Sequence, residues 1–316
     1  MKEYDITIIG GGPAGLYAAT CAGMRHLKVA LIESAKQLGG KLNTYPQKFI
    51  YDIPAVLEIK AKELIDKLVM QMKEYEKYID IILEDEVTNM TEDDGFILTL
   101  KNDLIKTKYI LLTNGTGKFN PRKLLVPGGN DKKIIYSFDD PSIFTSKKVI
   151  VLGGGDTAVD FVLMIQEYAD KVSLIHRRTD FRAKEDSIAK ISSNVETLTP
   201  YEVVSVESGK LNIVSKSDAS HIEINFDSII VAYGIEPNND YFSKMLSLDQ
   251  KGIIIDEYYQ TSKQNIFAVG DACHYISKNK NIASAFGEVS NVVNVLSNKL
   301  NPEKNGQFYS SIQAKK

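Results

Sequence analysis

The stretch ITIIGGGPAGLYAAT at residues 6–20 joins a β-branched run, a glycine-rich turn and a helical pattern in immediate succession. Gly10, Gly12 and Gly15 fit the pattern G-x-G-x-x-G. In that pattern one glycine makes a tight turn, one lets a pyrophosphate approach the backbone, and one lets the helix pack closely on the strand. Pro13 suits the first turn of the helix. We therefore predict a dinucleotide site at this helix N-terminus; the alternative is a tight strand-to-helix turn without a ligand.

A second β-branched run follows at residues 28–34, KVALIES, and contains Glu33 near its end. An acidic side chain at the end of the second strand, roughly 20 residues after the glycines, accepts hydrogen bonds from the ribose hydroxyls of an adenosine. The same carboxylate would repel a 2′-phosphate. We therefore predict that the first turn binds a nucleotide without that phosphate.

A second glycine-rich turn, VLGGGDTAVDF at residues 151–161, has the same surroundings, with a strand-like run before it and a predicted helix at 157–169 after it. Gly153, Gly155 and Ala158 fit the variant pattern G-x-G-x-x-A. The sequence therefore predicts two dinucleotide sites in one chain. Two such cofactors are expected when a protein passes electrons from one to the other.

The strand after the second turn, KVSLIHRR at residues 171–178, ends on cations instead of an acid. Guanidinium groups bind phosphate in bidentate fashion, so we predict that this site selects NADPH through its 2′-phosphate. The alternative is a solvated basic loop. The predicted NADPH contacts are Gly153, Gly155, Asp156, Thr157, Ala158, His176, Arg177, Arg178 and Arg182.

Composition limits the other classes of function. The 316 residues, 43% hydrophobic and 25% charged, are enough for two ordinary domains. The 38 basic and 41 acidic residues give a net charge of −3, which argues against a general nucleic-acid binder. Cys21 and Cys273 form neither a C-x-x-C pair nor a metal-ligand spacing, so we predict no metal site and a reducing compartment. With no signal-peptide pattern and no apolar run of about 18 residues, we predict a cytoplasmic protein without membrane association.

The remaining segments include both strand-like and helical patterns. Short strands are predicted at 80–88, 95–100 and 104–112, and helices at 59–78 and 282–296. Shortly before the predicted helix at 282–296, the segment IFAVGDACHY at 266–275 has Asp271 at the end of a predicted strand. There an acid can bind the ribityl hydroxyls or the phosphates of a flavin nucleotide, whereas the alternative for Asp271 is an N-cap.

Six motifs in this order resemble the flavoprotein reductases of the thioredoxin reductase-like fold: GGGPAG, LGGK, TNGTG, GGGDTA, HRR-x-x-FRA and VGDAC. The resemblance covers essentially the whole chain. It implies an α/β fold with two Rossmann-like FAD/NAD(P)-binding domains, the second inserted into the first. The FAD-binding domain would comprise 1–115 and 242–316, and the NADPH-binding domain 116–241.

Within that group the chain is most similar to the ferredoxin-NADP(+) reductases of the thioredoxin reductase-like type. Thioredoxin reductases carry a redox C-x-x-C pair in the inserted domain, and bacillithiol-disulfide reductase-like proteins carry a cysteine where this chain has Ala14. Local matches are QLGGKLNTYPQKFIYD, FRAKEDS, GDACHY, ASAFGE and GQFYSSI. The resemblance implies an oxidoreductase that transfers electrons between NADPH and ferredoxin through FAD, by hydride transfer to flavin N5 and then single-electron transfer. It also implies a homodimer.

The resemblance assigns residues to the flavin. Tyr45 and Tyr309 would stack on the two faces of the isoalloxazine, and no acid or base is assigned; their alternatives are a core aromatic and a tail residue. The implied FAD contacts are Gly10, Gly12, Gly15, Glu33, Lys41, Tyr45, Val87, Phe119, Asp271 and Ser311. The chain departs from the family at two positions. The family commonly has Gln in place of Lys41 and often His in place of Tyr309. The segment leading to Tyr45 is also one residue shorter.

Ferredoxin is the expected partner, with flavodoxin as a second candidate. Because ferredoxins are usually acidic, a basic surface is expected, and its candidates are Arg25, Lys28, Lys278 and Lys280. Two other classes of function remain open. One is an NADPH-dependent disulfide reductase or diaphorase with a small-molecule acceptor, and the other is a flavin-dependent sensor that binds NADPH without turnover.

Overall fold

The computed structural model describes residues 1–117, 120–236 and 241–304. The chain divides into two compact units. The first comprises Met1–Asn43, Phe49–Lys118 and Pro237–Lys316, and the second comprises Thr44–Lys48 and Phe119–Glu236. The predicted boundaries of the FAD-binding and NADPH-binding domains concern where cofactors bind, and they stay a prediction.

The first unit contains most of the N-terminal third of the chain and its C-terminal part. Its strands before the second unit are β1 Lys2–Ile9, β2 Val29–Glu33, β3 Phe49–Ile50, β4 Ile59–Lys60, β5 Ile79–Leu83, β6 Val87–Glu92, β7 Phe96–Leu100 and β8 Leu104–Leu112. Its helices there are α1 Pro13–Gly23 and α2 Ala61–Lys73.

The main sheet of the first unit has the order β5-β2-β1-β8-β7-β6, and a further strand from the C-terminal part pairs with β8. Strands β5, β2, β1 and β8 are parallel, whereas β6 and β7 join as antiparallel strands. All five residues of β2 are buried, as expected for a strand covered on both faces. This arrangement brings the carboxyl ends of β1, β2 and β8 to one edge, where nucleotides bind in open α/β sheets.

The second unit contains its own parallel sheet. Its strands are β9 Ile134–Ile135, β10 Lys148–Leu152, β11 Lys171–Ile175, β12 Glu196–Leu198, β13 Tyr201–Glu207, β14 Lys210–Ser215, β15 His221–Asn225 and β16 Ser228–Val231, and its helices are α3 Asp156–Ile165 and α4 Glu185–Ala189. The five-stranded sheet β12-β11-β10-β16-β9 is parallel throughout. A three-stranded antiparallel sheet, β13-β14-β15, completes the unit.

The C-terminal part of the chain completes the first unit. Its elements are β17 Leu248–Asp249, β18 Gly252–Ile254, β19 Ile266–Ala268, β20 Cys273–His274 and α5 Ile282–Leu300. Strand β19 pairs in parallel with the second half of β8, from Ile110 to Leu112. Two segments far apart in sequence therefore share one sheet. Among the described helices, none combines the length and the apolar character needed to cross a membrane.

Most predicted elements are confirmed within a few residues, and one is wrong. The run at 80–88, predicted as one strand, forms the end of β5 and the start of β6. Glu84 between them has a φ of +57°, and Asp85 is buried and accepts the Glu86 and Lys101 amides at 2.8 Å. This turn ends β5, because a non-glycine residue with positive φ cannot continue a strand. The predicted helix at 157–169 begins one residue earlier and ends at Ile165.

Candidate functional site

The first glycine turn connects β1 to α1. Gly10 has a φ of +110°, which favours glycine, and its amide donates to the Ile32 carbonyl at 2.8 Å. Gly12 is the N-cap of α1, and among the described residues no side chain caps this helix. A Cβ built on Gly12 would have only the Gly40 Cα, at 3.8 Å, as a neighbour. The first amides of α1 therefore face a space that a phosphate can enter.

The third glycine of this turn has a packing role. A Cβ on Gly15 would collide with the Gly10 carbonyl oxygen and lie 2.8 Å from Thr113 Oγ1. The Thr113 hydroxyl also lies within hydrogen-bonding distance of the Ile9 and Gly10 carbonyls, at 3.0 and 2.8 Å. Helix α1 can approach β1 this closely because residue 15 has no side chain.

Glu33 lies buried at the end of β2 beside this turn. One carboxylate oxygen accepts the Gly11 amide at 2.8 Å, and the other accepts the Ala35 amide at 2.8 Å. A Cβ on Gly11 would lie 2.5 Å from Leu38 Cδ2 and 3.2 Å from the Glu33 Cβ. A side chain at residue 11 would therefore require Leu38 and Glu33 to shift. Sequence reasoning missed this residue, because position 11 is a variable position of the motif.

Asp271 lies half-buried in the short 3-10 helix Gly270–Ala272 that follows β19. A Cβ on Gly270 would lie 3.5 Å from the Ala14 Cβ, and one on Gly115 would lie 3.9 Å from the Asp271 Cβ. The structure thus brings together the first glycine turn, the loop after β8 and Asp271. The alternative role of Asp271, an N-cap, is not seen in the described helices. Asp271 lies inside the 3-10 helix, and the N-cap of α5 is Asn281.

The other predicted FAD contacts lie in different surroundings. Lys41 is exposed in the 3-10 helix Gly40–Thr44, which approaches the glycine turn where Gly40 meets Gly12. The Val87 side chain is buried in the core of the first unit with Tyr4 and other apolar residues. Phe119, Tyr309 and Ser311 lie outside the described residues.

Tyr45 is half-buried and belongs to the segment Thr44–Lys48 of the second unit. The Lys48 ammonium lies 5.2 Å from the centre of its ring and forms an ion pair with Asp160 of α3. Burial raises the pKa of Asp160, and Lys48 opposes that shift. The predicted stacking of Tyr45 on a flavin stays a prediction.

The second glycine turn repeats the main-chain geometry of the first. Gly153 has a φ of +149°, and its amide donates to the Ile175 carbonyl at 3.0 Å. Gly155 is the N-cap of α3, and in the described part of the chain no atom lies within 4 Å of a Cβ built there. Ala158 takes the place that glycine occupies in the first turn, and its Cβ lies 3.0 Å from a Cβ built on Gly153.

His176 is the counterpart of Glu33, because the residue before each of them receives the hydrogen bond from its glycine turn. Its ring stacks on Phe181, with ring centres 5.5 Å apart, and a Cβ on Gly154 would collide with it. Burial lowers the pKa of His176, and Arg178, Arg177 and Arg182 lower it further. The imidazole is therefore held neutral between a glycine and a phenyl ring.

The arginines predicted to bind phosphate lie around this histidine. Arg177 and Arg178 are exposed directly after it, and the Arg182 amide donates to the Gly154 carbonyl at 2.7 Å. The Lys184 amide donates to Asp156 at 3.0 Å, so the segment after the arginines is fixed to the start of α3. These contacts bring Arg182 to the glycine turn. Thr157 lies half-buried in the first turn of α3.

The predicted basic surface requires one correction. The Lys278 side chain is 1% exposed and forms an ion pair with Glu288, so its assignment to a surface is wrong. Lys28 and Lys280 are exposed, whereas Arg25 is half-buried and donates to the Cys21 carbonyl at 3.0 Å. The partner of Lys278 lies on α5 and could not be inferred from the neighbouring sequence.

Known proteins resemble this chain over nearly its whole length. The family model for pyridine nucleotide-disulphide oxidoreductases matches residues 4–290. The chain is 40% identical to ferredoxin–NADP reductase 2 of Shouchella clausii over 92% of each chain. It is 38% identical to the ferredoxin–NADP reductase of Acholeplasma laidlawii, over 97% of this chain and 98% of that protein. Thioredoxin reductase of T. acidophilum has a similar fold, with a TM-score of 0.83, 21% identity, and coverage of 95% of this chain and 99% of that one.

Proposed function

The chain belongs to the pyridine nucleotide-disulphide oxidoreductase family and, within it, to the ferredoxin–NADP reductases, and on that premise we propose that it transfers electrons between NADPH and ferredoxin through FAD. FAD binds at the first glycine turn and NADPH at the second. The predicted domains, 1–115 with 242–316 for FAD and 116–241 for NADPH, follow from this assignment. Flavodoxin is a second candidate acceptor. A cytoplasmic homodimer is part of the proposal.

One observation carries the assignment of the two nucleotides. Two turns with the same main-chain geometry end in opposite chemistry, a buried carboxylate at Glu33 and exposed guanidinium groups at Arg177 and Arg178. A carboxylate accepts from ribose hydroxyls and repels a 2′-phosphate, whereas arginine binds that phosphate. The first turn thus suits the adenosine of FAD and the second suits NADPH.

The residues present fit both cofactors. The space over Gly12 and over Gly155 admits a pyrophosphate, and the first turns of α1 and α3, which no described side chain caps, supply amides that bind it. Asp271 lies near the first turn, where it can accept from the ribityl hydroxyls or bind the phosphates through water. When bound, FAD can accept a hydride from NADPH and donate single electrons to ferredoxin.

The chain's own contribution is positioning and tuning, and we assign no side chain as a general acid or base. The proposed FAD contacts are those predicted from the sequence, with Tyr45 and Tyr309 stacking on the flavin. The Gly154 carbonyl accepts the Arg182 amide and holds the start of that segment against the turn. In the proposed complex the three arginines bind the 2′-phosphate. The neutral His176 adds no charge there, and the arginines supply the attraction for NADPH.

The cysteines weigh against the alternative, a disulfide reductase that uses its own thiols. Cys21 and Cys273 are both buried. Burial raises the pKa of the Cys21 thiol and raises that of Cys273 to about 12. Because the thiolate is the reactive form, neither residue is suited to thiol exchange at neutral pH. A C21A/C273A variant is expected to retain full diaphorase activity.

The decisive experiment is stopped-flow reduction of the FAD-loaded protein by NADPH and by NADH, followed by addition of ferredoxin and cytochrome c. We expect faster flavin reduction by NADPH, and cytochrome reduction that depends on ferredoxin. The R177Q/R178Q variant should bind NADPH about tenfold to a hundredfold more weakly, the contribution of charge-assisted hydrogen bonds, with NADH binding unchanged. K132Q, which removes an exposed charge elsewhere in the second unit, serves as control.

The outcomes separate the candidate functions. Flavin reduction without transfer to ferredoxin would favour a diaphorase or a small-molecule reductase. Binding of NADPH without bleaching of the flavin would favour a sensor. Equal reduction by NADPH and NADH would contradict the role of the arginines.

A further inference from the structure

A buried carboxylate lies directly beneath the Asp271 turn. Glu288 of α5 is 3% exposed and receives three donors. The Gly270 amide donates to Oε2 at 2.7 Å, the Tyr275 hydroxyl donates to Oε1 at 2.8 Å, and the Lys278 ammonium pairs with Oε1. The three donors come from one segment, 270–278, and they meet at one side chain.

The donors lie at the two ends and in the middle of that segment. Gly270 has a φ of +67°, and a Cβ built on it would lie 3.5 Å from the Ala14 Cβ of α1 and 3.6 Å from the Ala285 Cβ of α5. The hydrogen bond from its amide to Glu288 fixes the direction in which the chain leaves β19. Asp271 is the next residue, so its position depends on this bond.

Lys278 neutralises a charge that is otherwise costly to bury. Its side chain is 1% exposed, unlike the Lys263–Glu92 pair of the same unit, whose side chains are 36% and 65% exposed. Replacing a buried ion pair by apolar side chains is often neutral or stabilising, so a buried pair is weak evidence of added stability. What the pair does is join the 270–278 segment to α5 at a defined position.

Tyr275 completes the arrangement. Burial, together with its hydrogen bond to Glu288, raises the pKa of the Tyr275 phenol, so the hydroxyl stays protonated and keeps donating. On the outer side, the exposed Lys280 donates to the Asp271 carbonyl at 3.1 Å and to the Lys251 carbonyl at 2.6 Å. The Asp271 turn is therefore held from both sides.

We propose that Glu288 is a positioning residue for FAD, which holds the Gly270–Asp271 turn in the orientation that binds the flavin nucleotide, with Lys278 as its counter-ion. The inference rests on the proposed function, because it requires FAD at the first glycine turn. Glu288 does not touch the cofactor and acts through Asp271.

The test measures the dissociation constant of FAD for the apoprotein by quenching of flavin fluorescence. The E288L/K278M variant removes both charges and the acceptor of the Gly270 amide, whereas E288Q/K278M removes the charges and keeps an acceptor. We expect E288L/K278M to weaken FAD binding about tenfold to a hundredfold, as supporting partners do in metal sites, and E288Q/K278M to restore most of the loss. The control E92L/K263M disrupts the exposed pair and should leave FAD binding unchanged.

A double-mutant cycle with D271N shows whether Glu288 acts through Asp271. The effects of D271N and E288L/K278M on FAD binding should be strongly non-additive. If E288L/K278M binds FAD as wild type does while D271N binds it weakly, the inference is overturned and the FAD site stands. Additive effects would also overturn it. A wild-type chain that binds no FAD would overturn the proposed function as well.

A milder variant covers the case in which E288L/K278M does not fold, as judged by circular dichroism of the apoprotein. Y275F in the FAD-loaded protein removes one of the three donors and keeps the ion pair. We expect FAD to dissociate about two- to tenfold faster, the net contribution of a typical hydrogen bond, because the Gly270 amide and Lys278 still hold the carboxylate. An unchanged rate would overturn the inference.

Discussion

The two glycine turns of this chain have nearly the same main chain and differ in the side chain that lies against it. In both, the first glycine has a positive φ and donates to the carbonyl of the last or next-to-last residue of the following strand. In the first turn the adjoining side chain is the Glu33 carboxylate, which accepts the Gly11 amide. In the second it is the His176 ring, which packs flat on Gly154.

This difference separates two tasks. In the proposed function, the main chain and the helix N-terminus supply the pyrophosphate site in both units, while the side chain at the strand end, with the residues after it, sets which ribose is accepted. The middle glycine of each turn makes room for that side chain. Substitutions at residues 15, 154 and 176 test this separation.

The largest effect is expected at the third position of the motif. In G15A the new methyl would collide with the Gly10 carbonyl, so α1 must move away from β1. We expect G15A to lower the free energy of unfolding by about 1–3 kcal/mol, as overpacking does, and to lose bound FAD. The measurements are thermal unfolding and the FAD content of the purified protein.

The matched variant in the second turn is A158G. It should cost only about 1 kcal/mol, the difference in helix propensity, and leave NADPH binding nearly unchanged. If G15A purified with a full complement of FAD, the first turn would not need its close helix–strand contact.

A smaller effect is expected at Gly154, where a methyl would displace the His176 ring. G154A should cost about 1 kcal/mol of stability, the low end for overpacking, because a side-chain ring can shift whereas the Gly10 carbonyl opposite Gly15 cannot. The double variant G154A/H176A should recover much of that loss, because the methyl then fits in the space of the ring. The measurement is urea unfolding of the three variants.

G155A provides the contrast for this experiment. No described atom lies within 4 Å of a methyl at residue 155, so stability should hardly change while NADPH binding is lost. If G154A were as stable as wild type, the imidazole would not be held against the turn.

The smallest effect is expected from pH. Burial and the three arginines lower the pKa of His176 below its ordinary value of 6.5. As the pH falls through 6.5 the unfolded chain binds the proton first, so stability falls until the pH passes the pKa of the folded protein. We expect the melting temperature to decrease less between pH 7.5 and 5.5 in H176N than in wild type. A steeper decrease in H176N would reverse the sign of the shift.

Local pattern was sufficient to predict both turns, because the β-branched runs, the glycines and the helices after them are contiguous in sequence. It was also sufficient for the contrast between Glu33 and the arginines. It could not predict the close contacts at Gly11 and Gly154. Each of these depends on a side chain one strand away, and the motif leaves both positions variable.

Residues whose surroundings come from distant segments were beyond sequence reasoning. Lys278 lies in a polar, charged stretch that suggests exposure, but α5 places Glu288 beneath it. The break between β5 and β6 was missed because the apolar pattern continues across it, while the buried Asp85 binds the amide of Lys101 after β7. Both errors have the same cause, a polar partner supplied by tertiary structure.

The pairing of β19 with β8 has a consequence for biosynthesis. The sheet of the first unit lacks β19 until residue 268 has been translated and has left the ribosome. Most of the second unit, residues 119–236, emerges before that point as one continuous segment. Because domains fold as units during synthesis, the nascent chain can form the second unit's parallel sheet first. The N-terminal βα segments of the first unit can complete their sheet only later, when the last quarter of the polypeptide supplies β19 to pair with β8.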